Sequence, residues 1–428
     1  MGCVIFRRVA ADKAEIENCI SRSVRRGDVK LYVASYLQAW RVPIFDTTKF
    51  LYMEQCFIDY YNYGGGLPDK LVHAERTARL FLDNYYDVID RNDETAVTDA
   101  LLSCYVAALA DPYAIYRPPV ETENFSNDMS GSFGGIGVMV EQNSVEKTIL
   151  ITTVLPNSPA EAAGAMPGDY IYAVDGKTLD ELGFSNAINY VRGPVGTTVT
   201  LTLIRNGEFV TLSMVRDIVE EINAYYEFDS ESKIGYIQIV QFKENTYQQF
   251  KEAVDELEKL GAEGIIFDLR NNPGGYVSSV GDVVSYIIPT GHTVLSYQYK
   301  GQAAITYSST SDDGGDHTLS IPMVVVCNEN TASAGEIFTA ALRDYRNTGM
   351  LNVKIVGTTT FGKGIMQSSF YHDDGSSATF TTAYYNPPCG VNYHGIGVTP
   401  DVIVENTETE DLQLKAAYDE IVKLINAN

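Results

Sequence analysis

The sequence of 428 residues predicts a multidomain chain of mixed α+β and α/β class, with a helical N-terminal region, a small β-rich unit and an α/β core. Three observations predict it. Apolar residues recur at helical spacing between about 70 and 110, two Asx-Gly turns punctuate alternating strands between 127 and 216, and buried strands alternate with amphipathic helices from about 233 onward.

The first 64 residues are mixed and Tyr-rich and carry no pattern that converts to function. A break follows at Gly64-Gly65-Gly66-Leu67-Pro68. Leu80, Leu82, Tyr86 and Ile89 share one helical face, Val97, Leu101, Leu102, Tyr105 and Leu109 repeat the spacing, and Asp111-Pro112 is expected to stop the second helix. In the β-rich unit a strand at Tyr170–Val174 precedes Asp175-Gly176, and Asn206-Gly207 splits two strands, the first of which points Val199, Leu201 and Leu203 one way. Ser158 to Gly164 reads as a short helix with a Ser cap and a closing Gly. In the core, Ile234 to Ile239 is a strand. Phe250, Val254, Leu257 and Leu260 mark a helix closed by Gly261, and Ile265-Ile266-Phe267 and Ile321 to Cys327 are buried strands. A helix with Ile337, Phe338, Ala341 and Leu342 inward follows the second of these.

Composition excludes several classes. The chain is 45% hydrophobic and 20% charged, which is globular, and 31 basic against 56 acidic residues give a net charge of −25. A phosphate backbone is repelled by that charge, so no nucleic-acid partner is expected. Apolar runs such as Ile321 to Cys327 are far shorter than the ~20 residues of a membrane-spanning helix. The start, Met-Gly-Cys-Val-Ile-Phe-Arg-Arg, lacks the apolar stretch of an export signal. Six cysteines (3, 19, 56, 104, 327 and 389) lie far apart without a C-x-x-C, which fits neither zinc spacing nor a disulfide framework.

Three segments could carry chemistry. Ser333 lies where a buried strand turns into a helix, so a hydroxyl stands beside unpaired backbone N–H groups able to hold an anion. A serine there is also a common helix cap. None of the five histidines (73, 292, 317, 372, 394) sits in a triad setting, and there is no G-x-S-x-G. Lys363, between Gly362 and Gly364, is the other candidate base, since an apolar surround disfavours its ammonium, and Gln367 four residues on could orient the amine. Asp268 to Gly275 follows a buried strand, at the edge where open α/β sheets place their ligands, and its two glycines could present N–H groups. Two S-x-x-K strings, Ser144 to Lys147 and Ser230 to Lys233, lie in polar hairpin-like stretches and read as chance.

Taken in order along residues 75–428, these motifs resemble the C-terminal processing (tail-specific) proteases, serine peptidases with a Ser–Lys pair and an inserted PDZ domain. Asp111-Pro112-Tyr113-Ala114-Ile115-Tyr116 resembles the segment that ends the family's N-terminal helices. Gly134 to Gly137, Ser158 to Gly176 and Arg192 to Thr197 resemble its PDZ domain. Gly235 to Ile239, Asp268 to Gly275, Thr331 to Ile337, Thr360 to Gly364 with Gln367, and Gly395 to Asp401 resemble its protease core. Gly335, and Pro387-Pro388-Cys389-Gly390, depart from the family's usual residues.

The resemblance implies a crotonase-like core of ββα units, with boundaries at 1–64 (unassigned), 65–118 (helices packing on the core), 119–217 (PDZ) and 218–428 (protease core). It implies Ser333 as nucleophile, Lys363 as general base, Gln367 holding the amine, and Asp344 as a supporting acid. Backbone N–H groups of Gly274, Gly275 and Ala334 would bind the oxyanion, and Gly135, Ile136 and Gly137 a substrate's terminal carboxylate. Protein or peptide substrates with apolar C-terminal tails, no metal or organic cofactor and an extracytoplasmic site of action are the further expectations it carries, with a homo-oligomer left open. The competing reading is a catalytically inactive PDZ adaptor or scaffold, which would normally have lost the nucleophile or the base.

Overall fold

The computed structural model describes residues 45–85, 92–143, 148–310 and 317–427. Tyr86, Ile89, Cys3, Cys19 and the string Ser144 to Lys147 lie outside the described residues.

Six strands form the central sheet, in the order Ala224–Asp229, Ile234–Ile239, Gly264–Asp268, Met323–Cys327, Val353–Gly357 and Val402–Ile403. All but the first run parallel. The apolar runs of these strands exist because both faces are covered. Met323, Val325 and Cys327 face one core with Ile265 and Phe267, under the helices Thr246–Leu260, Val277–Ser285 and Ala334–Asn347. Val324, Val326 and Ile266 face the other, where Ala417 and Ile421 of the C-terminal helix Leu412–Ala427 pack. The helix predicted from Phe250 to Leu260 runs Thr246–Leu260, and Gly261 closes it at φ 82° as the sequence indicated.

A second sheet contains the hairpin Ile365–Tyr371 and Ser377–Asn386, joined by Thr293–Tyr299, Ile305–Ser308 and Ile115–Arg117. Against its Ala378 and Phe380 packs a helical layer. That layer includes Thr47–Tyr60, through Phe50, Met53 and Phe57, so part of the region that showed no pattern is structural. It also includes Leu67–Tyr85 and Glu94–Ala107. The last helix ends at Ala107, short of Asp111-Pro112, and Ala110 reverses the chain at φ 55°. Lys49, 2% exposed, ties this layer to the hairpin with ion pairs of 2.7 Å to both Asp99 and Asp374.

The β-rich unit is a six-stranded antiparallel sheet with its own core, in which Val199, Leu201 and Leu203 are fully buried. Tyr170–Val174, and the pair Thr198–Arg205 and Glu208–Val215 around Asn206-Gly207, fall where the sequence put them. A two-stranded ribbon, Ser132–Gly135 with Asp217–Glu220, leads into and out of this unit. Among the described residues, no helix is long and apolar enough to cross a membrane.

Candidate active site

Three adjacent parallel strands of the central sheet end at Asp268, Cys327 and Gly357, and the loops after them carry the Asp268 to Gly275 segment, Ser333 and Lys363. That edge is where a parallel sheet turns its strand ends into a crevice.

Asparagines and a threonine knit the first two loops together. Thr331 Oγ1 donates to the Leu269 carbonyl (2.8 Å), the Asn271 amide to Asn328 Oδ1 (2.9 Å) and the Ala332 amide to the Asn272 carbonyl (2.9 Å). Asn272 is fully buried and donates to the Ile239 carbonyl at 2.8 Å. Gly274 packs so closely that a Cβ on it would lie 2.7 Å from Ser333 Cβ, and its φ of +106° also requires glycine.

Ser333 sits at φ 54°, ψ −114°, a backbone conformation a non-glycine residue holds only when its surroundings enforce it, at a cost of roughly 1–3 kcal/mol. It caps the helix Ala334–Asn347 in a box with Glu336, whose carboxylate accepts the Ser333 amide at 3.0 Å and whose own amide donates to the Ser333 carbonyl at 2.9 Å. The hydroxyl stands at the mouth of a helix N-terminus.

The third loop is held by the closing segment. A Cβ on Gly362 would meet the Ile396 and Gly397 amides at 3.1 and 3.0 Å, and one on Gly364 the His394 amide at 2.8 Å. Glycines therefore flank Lys363 because backbone passes against backbone there.

Glu336 joins the two catalytic candidates. Fully buried, its Oε2 accepts from the backbone amides of both Ser333 (3.0 Å) and Lys363 (2.7 Å), and its Oε1 from Thr360 Oγ1 and the Gly362 amide, each at 2.6 Å. Burial raises its pKa, and these four donors oppose the rise. Burial likewise lowers the Lys363 pKa from its ordinary value, against the opposing pull of Asp111 and Glu336. Tyr385, buried, donates to the Lys363 carbonyl and lies beside the Ser333 side chain.

Several expected residues stand elsewhere than the resemblance implied. The Gly274 amide already donates to Asn272 Oδ1 (2.8 Å), so it is a scaffold and not an open donor. The amides of Gly275 and Ala334 make no hydrogen bond among the described residues. Gln367 gives its Nε2 to Thr381 Oγ1 at 3.1 Å across the hairpin and does not bond Lys363. Lys363 Nζ rests 4.4 Å from the centroid of the Tyr113 ring, with no hydrogen bond to Ser333 among the described residues. Asp344 lies eleven positions down the helix from Ser333, roughly 16 Å at 1.5 Å per residue. There it pairs with Arg343 (2.8 Å) and holds the Cys389 amide (2.9 Å), fixing the Pro387–Gly390 turn and touching neither Ser333 nor Lys363. Glu336, Asp111, Tyr113 and Thr381 surround the candidate site although the sequence assigns none of them a part in it. The signal for Glu336 was present, an acid three residues after Ser333 in the first helical turn, but it reads as an ordinary capping residue.

In the β-rich unit, Gly137 (φ 79°) turns the chain so tightly that a Cβ would fall 2.3 Å from Ser158 Cβ. The amides of Ile136 and Gly137 make no hydrogen bond among the described residues. They lead into Val138–Asn143, the edge strand of its sheet, while Gly135 ends the ribbon strand Ser132–Gly135. Elsewhere, Asp255, Glu258 and His317 bring three potential metal-ligating atoms within 4.8 Å of one another. Lys251 Nζ already stands 3.7 Å from Asp255, and the Tyr286 hydroxyl donates to that carboxylate.

A sheet whose strand ends carry Ser333 and Lys363 on loops bridged by one carboxylate, with an inserted antiparallel unit, defines a PDZ-containing member of a serine peptidase class. Residues 233–404 match peptidase family S41 and residues 150–205 a PDZ domain. The chain is 35% identical over 320 residues to carboxy-terminal processing protease CtpA of Bacillus subtilis (strain 168), covering 74% of this chain and 66% of that protein. It is 32% identical over 348 residues to a probable CtpA-like serine protease of Staphylococcus saprophyticus, covering 81% and 68%. A solved structure of a candidate S41 protease of Bacteroides fragilis NCTC 9343 shares the fold with a TM-score of 0.50 at 17% identity, over 82% of this chain and 97% of that one. The chain belongs to peptidase family S41, the C-terminal processing proteases. It spans about two thirds of the length of the curated relatives it matches, 66% for the Bacillus protein.

Proposed function

We propose that the chain is a serine endopeptidase that cleaves protein substrates near their C-termini. The observation that carries this reading is the shared Glu336 oxygen, which accepts the backbone amides of both Ser333, strained at φ 54°, and Lys363, whose amine burial makes less basic. Ser333 Oγ attacks the scissile carbonyl while neutral Lys363 takes its proton; the ammonium returns that proton to the leaving amine as the C–N bond breaks, and the acyl-enzyme left behind is hydrolysed by water with the neutral amine again as base. The developing oxyanion is received by the Gly275 and Ala334 amides, and Gln367 orients the amine when it swings from Tyr113 toward Ser333. The tail of the substrate adds as a strand to Val138–Asn143, its carboxylate held by the loop of Gly135, Ile136 and Gly137.

The test is cleavage of an unfolded protein with an apolar C-terminal tail by wild type, Ser333→Ala and Lys363→Ala, alongside labelling by a fluorophosphonate. Wild type is expected to cleave and label, Ser333→Ala to do neither, and Lys363→Ala to lose about 10³-fold or more in rate. Equal cleavage by all three proteins overturns the assignment. Tail binding without cleavage or labelling by wild type would make the chain an adaptor instead.

A further inference from the structure

Two of the groups around Lys363 come from neither the Ser333 loop nor the Lys363 loop. Its Nζ stands over the ring of Tyr113, in the turn that follows the helix Glu94–Ala107. That turn is built by Asp111, whose Oδ1 accepts the Tyr113 amide at 3.0 Å and whose carbonyl accepts the Ala114 amide at 3.0 Å. The other oxygen, Oδ2, accepts the Thr381 amide at 3.1 Å, and Thr381 Oγ1 is the atom that holds Gln367. Asp111 is 4% exposed and has no ion-pair partner within 4 Å among the described residues. Its negative charge is therefore directed at whatever cations stand nearby, and these are Lys363 and Lys70.

We propose that Asp111 and Tyr113, supplied by the helical layer, position the Lys363 side chain for its work as base: Tyr113 is the platform under Nζ, and Asp111 is the fixed counter-charge that ties this platform to Thr381, the residue across the hairpin that holds Gln367. The inference rests on the reading of Lys363 as the base and deepens it. Both are positioning residues, since they act through Lys363 and neither exchanges a proton or forms a bond in the reaction. The helical layer thus completes a site whose nucleophile and base both lie in the core.

The electrostatics give this a sign. Lys363 faces Tyr113 and Asp111 from this turn, Glu336 from the Ser333 helix and Tyr385 from the hairpin; Asp111 in turn faces Tyr61 and Lys70 from the helical layer. Burial lowers the lysine pKa, and Asp111 pulls it back up. A ring face under an ammonium also favours the charged form. Losing either group lowers the lysine pKa further, so the acid limb of a rate that needs neutral lysine moves to lower pH.

The experiment is the pH profile of Ser333 acylation by a fluorophosphonate, a probe that needs no knowledge of the natural substrate. Asp111→Asn is expected to move the acid limb down by about half a unit or more. Tyr113→Leu is expected to do likewise and to slow acylation about tenfold, with Tyr113→Phe, which keeps the ring, restoring both limb and rate. Melting curves identify a variant that fails to fold, and the Tyr113 pair carries the test if Asp111→Asn does. Wild-type rate and limb in Tyr113→Leu and Asp111→Asn, while Lys363→Ala is slowed, overturn this inference alone. Full-rate acylation of Lys363→Ala overturns the assignment of the base, and this inference with it.

Discussion

Glu336 shows how much one side chain can decide. Its carboxylate accepts four donors within 3.0 Å from two loops, and an amide in its place offers one acceptor oxygen where two are needed. Glu336→Gln is therefore expected to leave backbone amides unpaired, to cost about 1–3 kcal/mol of stability, and to abolish fluorophosphonate labelling; a melting curve and a labelling gel check both. Gly274 is the complementary case, where the absence of a side chain matters. Gly274→Ala forces a Cβ to within 2.7 Å of Ser333 Cβ at a φ of +106°, and labelling is expected to fall at least about tenfold while the central sheet still forms.

Between elements, the decisive contact is the ion-pair cluster of Lys49. It joins the helix Thr47–Tyr60 to the tip of the hairpin whose strands carry Gln367 and Thr381. Burial works to lower the Lys49 pKa, and the hydrogen bonds to Asp374 and Asp99 outweigh it, so the lysine is held above its ordinary value. Burial works to raise that of Asp374, and the bonds from Lys49 and Ser376 outweigh it, so the carboxyl is held below its ordinary value. A depressed carboxyl contributes stability that is full above its unfolded pKa of about 4 and is lost as pH falls through the folded value. Lys49→Met is expected to lower stability by about 2 kcal/mol at pH 7, less than for a fully enclosed pair because Asp374 is 36% exposed. The variant's melting temperature should also fall less steeply than the wild type's below about pH 4. Parallel acid melting curves of the two proteins would refute this.

On the scale of the whole molecule, the PDZ unit hangs on two adjacent connections that the core grips at one place. Asn245 donates to the carbonyls of Gly131 (2.9 Å) and Glu221 (3.0 Å), and buried Lys243 pairs with Asp128 and Glu221. The neighbouring Phe242 exchanges backbone hydrogen bonds with the Gly274–Tyr276 stretch, so the grip on the PDZ unit and the turn against Ser333 share one segment. The proposed capture of tails by the edge strand Val138–Asn143 predicts that a peptide with a free C-terminal carboxylate binds and its amidated form binds at least about tenfold more weakly. Gly137→Val should abolish the difference, because its side chain would displace the Ser158 turn. Fluorescence polarisation of labelled peptides measures both.

The sequence by itself determined most of the elements and the two candidate chemical residues. Alternation in Val199–Leu203, the helix closed by Gly261, the buried strands around Phe267 and Val325, and the glycines flanking Lys363 are local facts, set by side-chain period and backbone sterics. The order of the motifs was enough to propose Ser333 and Lys363 for the chemistry. Only the tertiary structure decided who attends them. Glu336 reaches across 24 to 27 positions to Thr360, Gly362 and Lys363, Asp111 across 270 to Thr381, and Lys49 across 325 to Asp374. It also took the fold to engage the Gly274 amide with Asn272 and to turn Gln367 toward Thr381. Such partners leave no periodic trace in the chain. A buried carboxylate takes whichever donors the packed loops bring to it, and those loops are brought together by the collapse of the sheet and not by their spacing in the sequence.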